Sequence, residues 1–165
     1  MKVVSNASPL ITLARIGRLD SLPKLYSTVS IPAEVYNEVV IAGAGMPGAA
    51  AVAKADWIRV SMVQDTKGLA YAISKTGLGA GEIGAVLLAK ELSADLILMD
   101  ESKGRKLAID EGLTVVGCIA ILEELCRRGD IRDLRGVYRE LLLQKIRVDL
   151  GTLQSSLKQF GLASL

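Results

Sequence analysis

The chain has 165 residues, half of them hydrophobic and only 4% aromatic, so we expect one domain with an aliphatic core. The net charge of +2 does not indicate a strong nonspecific binder of polyanions. The sequence contains no histidine, which excludes Ser-His and Cys-His catalysis and histidine-bound zinc. Any chemistry must therefore rest on carboxylates, hydroxyls, lysines or a hard metal ion bound by oxygen.

The cysteines and the N-terminus indicate the cellular compartment. Cys118 and Cys126 would lie about two turns apart on one helix, which is too far for a mutual disulfide. We therefore predict reduced thiols in a cytoplasmic protein. The N-terminal residues become polar too early for a signal peptide, and no apolar run has membrane-spanning length, so no membrane contact is expected.

Short aliphatic runs alternate along the chain with longer amphipathic segments. The predicted strands are residues 2–5, 28–31, 57–63 (near a sheet edge), 96–99 and 113–116. The predicted helices are residues 9–16, 19–26, 32–39, 83–92, 102–109 and 119–128, followed by two helices within 132–165 that are separated by a break at 148–151. This alternation predicts a mostly parallel sheet of about five strands in a three-layer α/β/α sandwich. The predicted single domain spans residues 1–165 and becomes helical from about residue 132.

Two details of local structure accompany this prediction. Ser8 is the expected N-cap of the first helix, with Pro9 at the first helical position. The glycine-rich segment 42–48 is not followed by the lysine and Ser or Thr of a phosphate-binding loop, so we interpret it as a linker or mobile flap.

Oxygen-bearing side chains occur where predicted strands end and helices begin, and Glu38, about two turns into its helix, would reach back to the same end of the sheet. In strand–helix–strand units these positions share one edge of the sheet. The side chains expected at this edge are Asn6, Glu38, Glu82, Asp100 and Glu101. Each also has a simpler explanation as a helix cap, a favourable charge in the first helical turn, a solvated helix residue or a turn residue.

A cluster of these side chains would be an all-oxygen ligand set. Carboxylates gathered at one edge repel each other, which raises their pKa values or requires a cation. Oxygen ligands select Mg²⁺ or Mn²⁺ over zinc or copper. A site of this kind suits metal-assisted hydrolysis of phosphodiester bonds by an activated water.

Five segments also resemble a known family in sequence and in order. They are VVSNASPLI (3–11), IPAEVYNEV (31–39), LGAGE (78–82), LMDESKGRKLA (98–108) and VVG (115–117). Together they are similar to the VapC-like branch of the PIN-domain proteins. The resemblance implies an endoribonuclease dependent on Mg²⁺ or Mn²⁺, often the toxin of a toxin–antitoxin pair, with RNA and a cognate antitoxin protein as partners.

The resemblance also implies roles for individual residues. The catalytic carboxylates would be Glu38, Glu82 and Asp100, and Asn6 and Glu101 would join them as metal ligands. The expected polar or substrate-contacting neighbours are Ser8, Ser102, Lys103 and Arg105. Lys103 and Arg105, with Lys106, begin the helix beside Asp100 and would contact RNA phosphates, although ordinary solvated helix charge is the simpler explanation.

Asn6 departs from the family pattern, which places aspartate at this position. An amide oxygen can bind a hard cation but supplies no charge. One alternative is therefore a catalytically degenerate PIN fold that binds RNA or a protein. Another is a phospho-acceptor receiver domain, although the lysine expected after a later strand is missing.

The late helices carry a basic bias and a set of leucines. The bias would form an RNA surface, an antitoxin surface or an ordinary exposed face. The leucines would pack within the chain or form the contacts of a homodimer.

Overall fold

The computed structural model describes residues 1–165. Five strands form one sheet in the order β3-β2-β1-β4-β5, and every neighbouring pair is parallel. The strands are β1 (Val3–Ser5), β2 (Val29–Pro32), β3 (Ile58–Ser61), β4 (Leu96–Leu98) and β5 (Val115–Val116). The predicted sheet and the edge position of the third strand are confirmed.

Ten α-helices accompany the sheet. They are α1 (Ala7–Arg15), α2 (Leu22–Tyr26), α3 (Ala33–Tyr36), α4 (Ala49–Lys54), α5 (Thr66–Thr76), α6 (Ala80–Glu91), α7 (Ser102–Asp110), α8 (Cys118–Arg127), α9 (Leu134–Leu143) and α10 (Leu150–Gln159). A 3₁₀ turn precedes α2, and a π-helical segment, Asn37–Ala42, continues α3. The sequence did not predict α4 or α5; α5 buries no residue, so its apolar pattern is weak.

The two faces of the sheet bury separate apolar clusters. Successive residues of β1 point to opposite faces, so Val3 joins the larger cluster with α1, α8, α9 and α10, whereas Val4 joins a smaller one with α6 and α7. In β4, Leu98 likewise belongs to the larger cluster and Ile97 to the smaller. Strands covered on both faces explain the continuous aliphatic runs, and the three-layer architecture is confirmed.

The first helix begins earlier than expected. Asn6, not Ser8, is the N-cap residue of α1, and Pro9 lies within the first turn. The Asn6 backbone is still extended (φ −78°, ψ 172°), and its N–H donates to the Leu98 carbonyl at 2.9 Å. The chain therefore passes from β1 into α1 with no intervening residue other than Asn6. The prediction of Ser8 as the N-cap was wrong.

Candidate functional site

Asn6 stands at the carboxyl end of β1, in the middle of the sheet. The residue is only 2% exposed. Its side chain does not cap α1, and Oδ1 is buried with no hydrogen-bond partner. A buried polar atom without a partner is rare in folded proteins and calls for an explanation.

Glu38 approaches Asn6 from the π-helical segment, because residue 81 of α6 has no side chain. A Cβ atom placed on Gly81 would lie 2.6 Å from Glu38 Oε2 and 3.7 Å from Asn6 Oδ1. Both oxygens thus lie against the first turn of α6. Burial raises the pKa of Glu38, and the charge of Glu101 raises it further. Single π-helical turns often occur at functional sites.

Glu82 lies in the first turn of α6. Its Oε2 is buried without a partner, 3.1 Å from where a Cβ on Gly104 would stand. Burial, together with the charges of Glu101 and Glu38, raises the pKa of Glu82 to about 7. Glu38, Glu82 and Glu101 are therefore close enough to repel each other.

Glu101 completes this group from the segment between β4 and α7. The Ser8 hydroxyl of α1 donates a hydrogen bond to Glu101 Oε1 at 2.9 Å. Glu101 remains exposed to solvent, and its side chain does not cap α7. We call Asn6, Glu38, Glu82 and Glu101 the acidic cluster.

Asp100 makes a different contact. Its Oδ1 accepts a hydrogen bond from the Cys118 N–H at the start of α8, with an N–O distance of 2.7 Å. Burial raises the pKa of the Cys118 thiol well above its usual value, and the Asp100 charge adds to this shift. The structure thus brings four of the five predicted ligands together and holds an oxygen of Asp100 at the N-terminus of α8.

The acidic cluster has the chemistry of a site for a hard cation, although its carboxylates are not closed around a point. No three His, Cys, Asp or Glu side chains converge as a preformed metal site. Two buried oxygens without partners, Asn6 Oδ1 and Glu82 Oε2, and raised carboxyl pKa values at Glu38 and Glu82 are nevertheless features that a cation would relieve. The donor set is all oxygen, which fits Mg²⁺ or Mn²⁺.

The predicted neighbours occupy the first turns of α7. Ser102 and Lys103 are exposed. Arg105 is half-buried, and its Nη1 donates to the Met99 carbonyl at 2.9 Å, so this guanidinium is already engaged with the backbone. Sequence reasoning also missed Gly81 as a site residue, although the glycines of segment 77–81 were a visible signal of close approach.

The basic residues of the late helices are partly neutralised. Arg127 and Arg128 at the C-terminal end of α8 both pair with Glu124, and Arg127 also lies 5.3 Å from the centre of the Phe160 ring. The N-terminus of α8 adjoins Asp100, so these two arginines lie at the other end of that helix.

Comparison with known proteins identifies the family. A family model described as a PIN domain matches residues 2–162, without distinguishing the VapC-like branch. A search of curated proteins finds no match. No helix of the chain has the length and apolar character needed to cross a membrane. The PIN domain is a nuclease fold whose members generally use divalent metal ions, and the match leaves no basis for the receiver-domain alternative. The chain belongs to the PIN-domain family.

Proposed function

We propose that the protein is an endoribonuclease that hydrolyses RNA phosphodiester bonds with Mg²⁺ or Mn²⁺ held by the acidic cluster. One observation carries this proposal. Glu38, Glu82 and Glu101, from separate segments, are near enough for their charges to act on one another, and the amide oxygen of Asn6 is buried without a partner. Nothing in the fold itself neutralises these carboxylates, because neither a lysine nor an arginine forms an ion pair with them.

The residues of the cluster divide the task. Asn6, Glu38, Glu82 and Glu101 would hold the ion, which when bound lowers the pKa of a water and offsets charge on the phosphate. Ser8 orients Glu101 through its hydroxyl. Lys103 is exposed in the first turn of α7 and would contact a phosphate beside the scissile bond. We place Asp100 outside this ligand set because its Oδ1 accepts the Cys118 amide and because Glu101, not Asp100, is the acid of this pair whose charge raises the pKa values of Glu38 and Glu82.

Cleavage of a fluorescent single-stranded RNA, with Mn²⁺ or with EDTA, tests the proposal. We expect Mn²⁺-dependent cutting that Glu38→Gln lowers on the order of 100-fold, because a unit charge about 4 Å from an ion is worth several kcal/mol even in a polar medium. Asp56→Asn is the matched control, since Asp56 is exposed and precedes β3 at the opposite edge of the sheet. Cleavage in EDTA, or full activity of Glu38→Gln, would refute the assignment.

A catalytically degenerate PIN domain is the second candidate, and Asn6 favours it. The position is buried, so no solvent compensates there for the charge that an aspartate would supply. The variant Asn6→Asp separates the two candidates. If the wild type is inert with Mn²⁺ and Asn6→Asp cuts RNA, the domain has lost catalysis and acts by binding; if the wild type cuts, this candidate fails.

The biological setting is a further part of the proposal. We infer that the protein acts on cytoplasmic RNA as the toxin of a toxin–antitoxin pair, and as a homodimer. Exposed leucines at the end of α9 and the start of α10, Leu143 and Leu150, are available for such protein contacts. Induced expression should arrest growth in the wild type and not in Glu38→Gln, and sedimentation equilibrium should give twice the chain mass. Normal growth with the active protein would contradict the toxin role, and a monomer would contradict the dimer.

A further inference from the structure

Adjacent acids at the end of β4 have different partners. Asp100 Oδ1 accepts the Cys118 N–H at 2.7 Å, whereas Glu101 Oε1 accepts the Ser8 hydroxyl at 2.9 Å. Successive side chains of an extended segment point in opposite directions. One acid of this pair therefore contacts α8 and the other contacts α1 and the acidic cluster.

The Asp100 carboxylate packs closely against the backbone at Gly117, where a side chain would crowd it. Gly117 is the N-cap residue of α8 and has no side chain to bond the first amides of the helix. A Cβ on Gly117 would lie 3.1 Å from Asp100 Oδ1 and 2.8 Å from Arg105 Nη1. The Asp100 carboxylate, which follows β4, therefore bonds the first amide of α8. A helix N-terminus favours negative charge at this place.

The backbone on either side of this contact is also held. The Met99 N–H donates to the Val116 carbonyl at 3.0 Å, and the Met99 carbonyl accepts from Arg105 at 2.9 Å. The Asp100–Cys118 hydrogen bond follows one residue later and joins the same two segments of the chain. The next residue is Glu101, whose carboxylate accepts a hydrogen bond from the Ser8 hydroxyl.

From these contacts we propose that Asp100 is a positioning residue, which ties the end of β4 to the start of α8 and thereby holds Glu101 in the acidic cluster. Its role would be to set the direction of the neighbouring carboxylate without binding the ion itself. The inference rests on the proposed function for its effect on metal binding. Partners that orient a metal ligand typically change metal affinity about 10- to 100-fold when removed.

Three variants of the pair test this role by Mn²⁺ titration calorimetry. Asp100→Ala should weaken Mn²⁺ binding about 10-fold. Asp100→Asn should restore it to within about 3-fold of the wild type, because an amide oxygen accepts the same N–H bond. Glu101→Gln should lose affinity as strongly as Asp100→Ala or more. If Asp100→Asn binds Mn²⁺ as poorly as Glu101→Gln, Asp100 is itself a ligand and the proposal is overturned.

Asp133→Ala is the matched control for lost helix capping. Asp133 accepts the Gly136 N–H at the start of α9, so its removal lowers stability through the same kind of bond. We expect Asp133→Ala and Asp100→Ala to lower Tm alike, while only Asp100→Ala weakens Mn²⁺ binding. Equal Mn²⁺ affinity of the two variants would reduce Asp100 to an ordinary cap and refute the positioning role.

Two readouts do not depend on the metal. Amide hydrogen exchange at Cys118 should accelerate in Asp100→Ala, and remain slow in Asp100→Asn and Glu101→Gln. Crystal structures should show the Ser8–Glu101 contact retained in Asp100→Asn and lost in Asp100→Ala. A wild type that binds no Mn²⁺ refutes the proposed function alone, and an unmoved Glu101 in Asp100→Ala refutes the positioning role alone.

Discussion

The buried side-chain oxygens of the C-terminal helices and those of the acidic cluster differ in whether they have hydrogen-bond partners. In the C-terminal helices the hydroxyls of Tyr138 and Ser156 are 2.6 Å apart, and Ser156 is 2.6 Å from Glu123 Oε1. At the acidic cluster, Asn6 Oδ1 and Glu82 Oε2 have no partner at all, and neither has Glu34 Oε2 beside Gly84 of α6. The buried oxygens of the first region are therefore hydrogen-bonded, whereas two oxygens of the second region are not.

The difference indicates where this fold gives up stability. A buried polar group without a partner costs about 1–3 kcal/mol, and like charges in contact add to that cost. Such costs concentrate at functional sites, since structural regions are free to remove them. The acidic cluster is therefore best explained by a ligand, whereas the chain through Tyr138 is explained by packing alone.

The largest expected difference between the two regions is their response to Mn²⁺. A ligand that binds only the folded protein, at 100 times its Kd, adds about 2.7 kcal/mol of stability. We expect a rise in Tm with Mn²⁺ in the wild type and almost none in Glu82→Gln, because the variant loses a charged ligand. Differential scanning fluorimetry with Mn²⁺ and EDTA measures both. Equal shifts in the two proteins would place the ion elsewhere.

Gly81 offers a way to disturb the cluster without changing its charge. In Gly81→Ala the new methyl group would displace the Glu38 carboxylate, whose Oε2 lies 2.6 Å from the Cβ position. We expect RNA cleavage to fall about 10- to 100-fold, because small misplacements of reacting groups are costly. Measured kcat/KM is the readout.

Gly84→Ala is the matched control for that prediction. Its Cβ would stand about one turn further along α6, 3.3 Å from Glu34 Oε2, and its three nearest atoms belong to Glu34 and Pro32 and not to the cluster. Both changes replace a helical glycine, so both gain the same helix propensity of about 1 kcal/mol. Similar activity of the two variants would show that the room at Gly81 does not serve Glu38.

A substitution in the hydrogen-bonded region around Tyr138 should lower the stability of the protein without changing its activity. In Ser156→Ala the buried Tyr138 hydroxyl, whose pKa is raised to about 12 mainly by burial, would lose its partner. We expect a loss of about 1–3 kcal/mol in the free energy of unfolding, measured by urea denaturation, with unchanged RNA cleavage below the transition. Reduced cleavage by the folded variant would contradict the separation of the two regions.

The smallest effect is the pH dependence of the metal-free protein. The pKa of Glu82 is raised from 4.5 to about 7 on folding, so the folded state binds its proton more tightly than the unfolded state. The stability gained is complete below pH 4.5 and is lost as pH rises through 7. Solvent screening keeps the change small. In EDTA, Tm should fall over this range more steeply in the wild type than in Glu82→Gln; parallel profiles would contradict the assignment.

Much of the fold was readable from local patterns. The strands are runs of aliphatic residues bounded by polar ones, and the glycines at 17, 129 and 161 end helices or turns with positive φ. Helix α5 was missed because it buries no residue, and its Tyr71 is exposed to solvent. Hydrophobic periodicity arises from the buried face of an element. A helix that buries few side chains therefore shows a weak periodic pattern.

For the site, the sequence predicted which segments meet at one edge of the sheet but not how each side chain is oriented there. Parallel topology by itself requires that residues after β1 and β4 and at the start of α6 share one edge, so the meeting of Asn6, Glu82 and the Asp100–Glu101 pair followed from the sequence. Which acid of that pair faces the cluster did not. That choice depends on the register of β4 against β5 and on the approach of α8 to Asp100, and these are distances between segments far apart in the chain.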